Sequence, residues 1–289
     1  MIQDKLKGTG VALVTPFASN MAVDFDGLRQ LLDFTIEGGV EYLVVNGTTG
    51  ESVTTTTEEK AEILAFVKKH VNGRVPLVYG LGGNNTQHVL DTIQKTDLEG
   101  IAAVLSVSPY YNKPSQQGII QHYTQIADAC PVPVILYNVP GRTGSNMAPE
   151  TTVRLAAHQN IIGVKEASGN LEQCMFIAKH KPADFMLISG DDMLTLPMIA
   201  FGAVGVISVL ANAFPEKFSN MVRLGLSYQF KEASDLLYDF VDINPMMYEE
   251  GNPVGVKALL ERFGVCGGTV RLPLVEASAG LKDRLYKQL

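Results

Sequence analysis

The feature that most constrains the fold of this chain is a regular alternation of strand-like and helix-like segments over residues 1–228. Short β-branched or apolar runs predict strands, and the amphipathic runs between them predict helices. The predicted strands are residues 9–17, 42–46, 77–80, 102–107, 132–139, 161–166, 185–189 and 205–209. Eight β/α units in one chain are typical of a (β/α)8 TIM barrel, which closes at that number. A doubly wound open sheet is the alternative, but the even spacing and the missing dinucleotide fingerprint disfavour it.

One predicted helix follows each predicted strand up to about residue 228, and beyond that point helices follow one another. Helices are predicted over residues 24–37, 58–70, 86–96, 116–129, 149–158, 171–179 and 193–201, and from about residue 215 onward. Thr86 is the expected N-cap of the third. Three further amphipathic helices, at 230–243, 253–263 and 275–289, follow without a clear strand between them. We therefore expect an α/β chain with a catalytic barrel over residues 1–228 and a small three-helix appendage over 229–289, packed on the barrel.

Charge and cysteine content exclude several classes of protein. The formal net charge is −7 and the pI is near 5.3, so a nucleic-acid partner is not expected. Three cysteines without metal-ligand spacing fit reduced thiols in a cytoplasmic protein. Residues 1–7 lack the apolar core of a signal peptide, and no apolar run is long enough to span a membrane.

Lys165, near the end of the sixth predicted strand, is the first candidate for chemistry. Burial disfavours the cationic form of a lysine, lowers its pKa and makes the neutral amine available as a nucleophile. A neutral amine is what Schiff-base chemistry on a ketone or aldehyde requires. The alternative is a structural lysine that reaches solvent or pairs with Glu166.

Other strand ends carry groups that suit the same chemistry, since barrel enzymes work at the carboxyl ends of their strands. Thr48 and Thr49, between two glycines after the second strand, can bind a small carboxylate, or they can form an ordinary glycine-rich turn. Tyr137, on the fifth strand, can shuttle protons beside Lys165 or be a core aromatic. Arg142 follows it between glycines, and its planar guanidinium suits a substrate carboxylate.

Two further pairs are ambiguous on sequence alone. Tyr110 and Tyr111 follow the fourth strand between prolines, where loop packing is the more common role. Asp191 and Asp192 follow the seventh strand and can bind a divalent cation. No histidine cluster accompanies them, so acids at a helix N-terminus are the favoured interpretation.

Together these motifs resemble the dihydrodipicolinate synthase family. The matching segments are residues 47–51, 110–112, 137–143, 163–166, 252–257 and 271–274, so the resemblance covers nearly the whole chain. The lysine strand and the segment 47–51 identify a wider group of pyruvate aldolases and lyases that work through a lysine imine. The two adjacent threonines and the arginine at 142 narrow the resemblance to the synthase.

The resemblance implies a lyase that condenses pyruvate with L-aspartate 4-semialdehyde to 4-hydroxy-tetrahydrodipicolinate, on the route to diaminopimelate and lysine. It assigns the imine to Lys165 and acid–base catalysis to Tyr137, linked through Thr48 to Tyr111 of a neighbouring subunit. A homotetramer built from tight dimers is implied, with neither cofactor nor metal.

Substrate binding follows by the same resemblance. Thr49 and the main chain at Ile207 would hold pyruvate, and Arg142 the carboxylate of the aldehyde. The rival activities are N-acetylneuraminate lyase or a keto-deoxy-sugar acid aldolase, which share the imine half. A non-catalytic scaffold is a third interpretation, which intact Lys165, Tyr137 and Thr48 disfavour.

Overall fold

The strands form a closed parallel barrel in the computed structural model, which describes residues 2–289. Neighbouring strands pair in sequence order, and β1 closes the barrel against β8. The strands are β1 (Gly8–Ala12), β2 (Tyr42–Val45), β3 (Leu77–Gly80), β4 (Ala103–Val107), β5 (Val134–Asn138), β6 (Ile161–Glu166), β7 (Met186–Ser189) and β8 (Gly205–Ser208). The predicted (β/α)8 barrel is confirmed. An open sheet is wrong, because an open sheet would leave two strands unpaired on one side.

Each strand is followed by at least one helix. They are α1 (Phe25–Glu37), α2 (Thr57–Val71), α3 (Thr86–Lys95), α4 (Gln116–Ala129), α5 (Pro140–Thr143), α6 (Pro149–Leu155), α7 (Leu171–His180), α8 (Thr195–Ala200) and α9 (Pro215–Leu226). The predicted cap of α3 is wrong by one residue. Asn85, not Thr86, is the N-cap, because its extended backbone lets the side chain accept a hydrogen bond from the His88 N–H. No helix within residues 2–289 is long and apolar enough to cross a bilayer.

Strands β1 and β5 are shorter than their predicted segments. After Ala12 the chain leaves the sheet: the Val14 N–H donates to the Asn212 side chain, and Pro16 has no N–H to donate. The β5 segment begins after Pro133 for the same reason. In both cases the apolar run continues into a buried loop, so a prediction from hydrophobicity alone makes the strand too long.

The C-terminal segment contains four helices within the described residues, rather than the three predicted. They are α10 (Phe230–Tyr238), α11 (Ile243–Glu249), α12 (Val254–Arg262) and α13 (Ala279–Tyr286). The predicted helix over 230–243 ends at Tyr238, where the N–H groups of Phe240 and Val241 bond only three residues back and tighten the last turn. The chain then starts α11, which places polar residues of this segment over the barrel mouth.

Apolar side chains fill the barrel interior and form a packed floor. Inward-pointing residues such as Tyr42, Val78, Ile135 and Ile188 form one interior cluster, separate from the larger shell between barrel and helices. Tyr137 belongs to the interior cluster. The open space therefore begins at the level of Tyr137, at the carboxyl ends of the strands.

Candidate active site

Lys165 points into the barrel from β6, directly beside Tyr137. The two residues are partners in the β5–β6 ladder, and the Lys165 Nζ lies 4.6 Å from the centroid of the Tyr137 ring. Lys165 is 5% exposed, and no ion pair within 4 Å engages it among residues 2–289. Burial lowers the pKa of its amine to about 8, while the Asp192 carboxylate opposes this shift and Arg142 adds to it. The alternative pairing with Glu166 is wrong, since that side chain points to the other side of the strand.

Tyr137 is a buried phenol. Burial raises its pKa, and both the charge of Arg142 and a hydrogen bond with the Thr48 side chain oppose that rise. The phenol therefore stays protonated at neutral pH, and its ring lies beside the Lys165 amine. A protonated phenol beside an amine whose pKa is lowered is suited to transferring protons.

The loop carrying Thr48 and Thr49 is fixed by close backbone approaches. The Asn46 side chain donates to the Gly80 carbonyl (3.0 Å), and a Cβ at Gly80 would lie 2.4 Å from the Asn46 carbonyl oxygen. Thr49 is buried, and its hydroxyl accepts a hydrogen bond from the Asn252 side chain at 3.1 Å. Asn252 belongs to the C-terminal segment, which therefore reaches the candidate site directly.

Glu51 fastens the same loop to α12 through a buried ion pair. The Lys257 Nζ lies 2.6 Å from Glu51 Oε1, with the two side chains 0% and 2% exposed. The Arg271 N–H donates to the other carboxylate oxygen (3.0 Å), and Lys257 also donates to the Thr269 carbonyl (2.8 Å). Lys257 and Arg271 further lie 4.4 and 4.2 Å from the centroid of the Phe17 ring. The threonine loop is thus held from two points of the C-terminal segment.

A cavity of about 890 Å³ opens over the barrel mouth and unites most of the predicted residues. Thr48, Thr49, Tyr137, Arg142 and Lys165 all line it. Arg142 is exposed and reaches the cavity from α5, a single helical turn that the left-handed Gly144 ends. Besides Asn252, the C-terminal residues Asn244 and Tyr248 line the wall.

Two predicted site residues lie outside this wall. Tyr111 is 89% exposed, has a left-handed backbone (φ 73°) and is not part of the cavity lining of its own chain. The Ile207 side chain is buried in the interior cluster of the barrel, so only its main chain remains available for a substrate.

Asp192 acts electrostatically on Lys165 although its sequence context favours an ordinary helix N-terminal acid, and its neighbour Asp191 is the one that lines the cavity. That interpretation fits Asp191, whose Oδ1 accepts from the Met193 N–H at 3.0 Å. Asp192 is instead buried; its Oδ2 accepts from the N–H groups of Val209 and Leu210, and its Oδ1 has no partner among the described residues. Burial raises its pKa, and those hydrogen bonds oppose the rise. Only the fold could reveal this residue, because its donors lie in the turn after β8.

The assembled groups can perform amine chemistry on a small carboxylate that carries a carbonyl. A buried amine with lowered pKa supplies the nucleophile, an adjacent phenol moves protons, and threonine hydroxyls with a guanidinium bind anionic groups. Within residues 2–289 no group of three or more histidine, cysteine, aspartate or glutamate side chains is arranged to hold a metal ion.

Known proteins match this chain over nearly its whole length. The model of the Dihydrodipicolinate synthetase family matches residues 5–289. The chain is 54% identical over 278 residues to a 4-hydroxy-tetrahydrodipicolinate synthase of Cytophaga hutchinsonii, covering 96% of this chain and 94% of that protein. It is 53% identical over 279 residues to the same enzyme of Flavobacterium psychrophilum, covering 96% and 95%.

A solved structure agrees with these sequence matches. The dihydrodipicolinate synthase of Thermotoga maritima superposes with a TM-score of 0.95 at 35% identity, covering 98% of this chain and 97% of the other. Both the sequence and the architecture therefore match over essentially the full length of the relatives. The chain belongs to the dihydrodipicolinate synthetase family.

Proposed function

We propose that this chain is a lyase that condenses pyruvate with L-aspartate 4-semialdehyde to 4-hydroxy-tetrahydrodipicolinate, in the route to diaminopimelate and lysine. Family membership and relatives of that name at more than half identity support the reaction. The single observation that carries the mechanism is the buried Lys165 amine beside the Tyr137 phenol, in a cavity that Arg142 also lines.

In the proposed mechanism Lys165 is the electron sink. Its neutral Nζ attacks the pyruvate carbonyl carbon, and loss of water leaves a protonated imine. Loss of a methyl proton then gives an enamine, because the cationic nitrogen accepts the released electron pair. The enamine carbon attacks the aldehyde carbon, and the amine of the second substrate attacks the imine carbon, closing the ring and releasing Lys165.

Proton transfer and anion binding are divided among the other residues. Tyr137 is the general acid and base, in contact with Thr48 as the next member of a relay. Thr49 and the main chain at Ile207 bind pyruvate, and Arg142 binds the carboxylate of the aldehyde substrate. These steps require neither a metal nor an organic cofactor, since the lysine imine supplies the electron sink.

The proposed relay ends at Tyr111 of a neighbouring subunit, in a homotetramer built from tight dimers. Tyr111 and Val53 are exposed, and Tyr110 is partly so, beside the cavity mouth of the single chain. An exposed apolar cluster of this kind is typical of an interface. A symmetric dimer through this face would exchange the two Tyr111 side chains between cavities.

Mixing two defective variants tests whether Tyr111 acts across the interface. Tyr111→Phe is expected to lose activity about a hundredfold, as for loss of an acid–base relay, and Lys165→Arg to be inactive. Random pairing makes half of the dimers hybrids with one complete site of two, so co-expression should restore about a quarter of wild-type activity. If hybrids verified by mass spectrometry stay inactive, Tyr111 does not act in trans.

Replacing Arg142 separates the two halves of the reaction. Arg142→Ala is expected to keep the pyruvate imine but to raise the apparent KM for L-aspartate 4-semialdehyde about ten- to a hundredfold. The reason is the loss of a charge-assisted hydrogen bond to a carboxylate, worth roughly 1.5–3 kcal/mol. Steady-state rates and borohydride trapping measure the two effects, with the exposed Arg154→Ala as control. Failure to form the imine would place Arg142 in the pyruvate site instead.

The same assay discriminates the rival aldolases. Pyruvate with N-acetylmannosamine should give no product, whereas pyruvate with L-aspartate 4-semialdehyde should. A rate with the sugar comparable to that with the semialdehyde would favour an N-acetylneuraminate lyase, whose imine half is the same.

Location and domain organisation complete the proposal. We infer a cytoplasmic protein, supported by three free cysteine thiols, which a reducing compartment maintains.

We also infer that residues 1–228 form the catalytic barrel and 229–289 the appendage. Asn252 and Lys257 support a functional role for that appendage, since both hold the threonine loop.

A further inference from the structure

Two buried polar side chains lie directly behind the proposed catalytic pair. In the β5–β6 ladder Tyr137 pairs with Lys165, and Asn138 pairs with Glu166. Successive side chains of a strand point to opposite faces, so the second pair points away from the cavity, toward the surrounding helices. Asn138 and Glu166 are both buried. The reacting groups and this amide–carboxylate pair therefore share the ends of the same two strands.

The Glu166 carboxylate is surrounded by hydrogen-bond donors. Its Oε1 accepts from Asn138 Nδ2 (3.0 Å) and from the Ser168 N–H (2.8 Å), and its Oε2 accepts from Gln173 Nε2 (3.0 Å) and from Asn138 Nδ2 (3.1 Å). No cation lies within 4 Å of it in residues 2–289. An ionised carboxylate only accepts hydrogen bonds, so it can satisfy all these donors at once. Keeping an unpaired carboxylate in the interior is costly, so the arrangement calls for an explanation.

The donors on Glu166 also hold the loop that carries Arg142. Asn138 Oδ1 accepts from the Met147 N–H (3.0 Å), and Asn138 Nδ2 donates to Asn146 Oδ1 (2.8 Å). Asn146 Nδ2 in turn donates to Gln173 Oε1 (2.8 Å). The C-terminal end of residues 139–147 is thus fastened by two side chains, and Glu166 orients both of them.

We propose that Glu166 is a positioning residue that fixes the Arg142 loop (residues 139–147) and thereby sets the affinity for the carboxylate of the aldehyde substrate. The inference rests on the proposed role of Arg142. Glu166 touches no substrate, because it faces away from the cavity. It acts through Asn138 and Gln173, which hold Asn146 and Met147 of the loop.

Glu166→Gln is the informative substitution because it keeps the shape and replaces an acceptor with a donor. Each carboxylate oxygen now receives at least two donors, so either orientation of the new amide sets an NH2 group against N–H donors. Asn138 or Gln173 must then turn, and the bonds to Asn146 and Met147 are lost. The loop becomes mobile while Lys165 and Tyr137, on the other face, keep their places.

A double-mutant cycle with Arg142→Ala tests this coupling. Glu166→Gln alone should raise the apparent KM for L-aspartate 4-semialdehyde about tenfold and change the KM for pyruvate less than about twofold. In the Arg142→Ala background, Glu166→Gln should raise this KM by less than about twofold more, because the Arg142–carboxylate interaction is already gone. Glu172→Gln, the same chemical change at an exposed position of α7 beside Gln173, is the matched control. Borohydride trapping with pyruvate should stay intact in every variant.

A loss of stability without specific positioning gives a different pattern. Multiplicative effects in the cycle, equal rises in both KM values, or an unchanged KM would each overturn the inference. If Arg142→Ala itself leaves the aldehyde KM unchanged, the proposed role of Arg142 fails and the inference falls with it; if only the coupling is missing, Arg142 keeps its role.

A second variant covers the case in which Glu166→Gln does not fold. Asn146 is exposed, and Asn146→Ala breaks the same link from the loop side. It should reproduce the selective rise in the aldehyde KM. Unchanged kinetics in a folded Asn146→Ala protein would refute the proposal.

Discussion

Lys165→Arg is expected to abolish the condensation, with a fall in kcat of a thousandfold or more, on the order seen when a covalent nucleophile is lost. A guanidinium stays protonated at any accessible pH and cannot form the imine, although it preserves the positive charge beside Tyr137. The variant should therefore fold, bind pyruvate and remain inactive. Retention of more than about a tenth of the wild-type rate would contradict covalent catalysis by this residue.

Trapping locates the imine on one of two buried lysines. Pyruvate with borohydride should inactivate the wild-type enzyme and add the mass of one reduced pyruvate to the peptide containing Lys165. Lys257 is an internal control, since it is equally buried but is held by Glu51 and the Thr269 carbonyl outside the cavity lining. Modification of Lys257, or of the Lys165→Arg variant, would refute the assignment.

The lowered pKa of Lys165 gives this step a defined pH dependence. The amine must be neutral to attack, and its pKa is about 8 in the free enzyme. The rate of imine formation should therefore rise through pH 7 to 9 and level off above that range, where an unperturbed lysine would still be mostly protonated. A rate that keeps rising beyond pH 10 would show that burial does not activate this lysine.

Local pattern was sufficient to predict the barrel and the central pair. The β-branched runs placed the β6 strand at residues 161–166 without error, and strands adjacent in sequence are adjacent in a barrel. That order alone predicts that the strands of Tyr137 and Lys165 are neighbours. It does not predict their register in the β5–β6 ladder, and a shift of one residue would turn either side chain out of the barrel.

Contacts between distant parts of the chain could not be predicted from the sequence. Asp192 looks like an ordinary helix-start acid until β8 brings the N–H groups of Val209 and Leu210 to it. Glu51 ends what looks like a simple turn, yet its partner Lys257 lies 206 residues away. The sequence suggests Glu166 only as a partner for Lys165, although its own donors come from Asn138 and Gln173 on the outer face.

The Glu51–Lys257 pair is expected to dominate the stability of the threonine loop. Lys257→Met leaves the Glu51 carboxylate buried without a cation, a change that costs about 3–5 kcal/mol in comparable buried pairs. The surface pair Arg284–Glu249, with side chains 49% and 44% exposed, is the matched control. Arg284→Met should cost less than about 1 kcal/mol. Urea unfolding of the two variants measures the difference, and equal losses would contradict the prediction.

The double variant Glu51→Gln/Lys257→Met separates the buried charge from the packing. Removing both charges leaves an amide oxygen to accept from the Arg271 N–H, so most of the lost stability should return. The pyruvate KM should nevertheless stay raised in both Lys257 variants, because the strongest tie between the threonine loop and α12 is gone. If stability and the pyruvate KM recovered together, the pair would serve only to neutralise charge, and Asn252 alone would hold Thr49 in place.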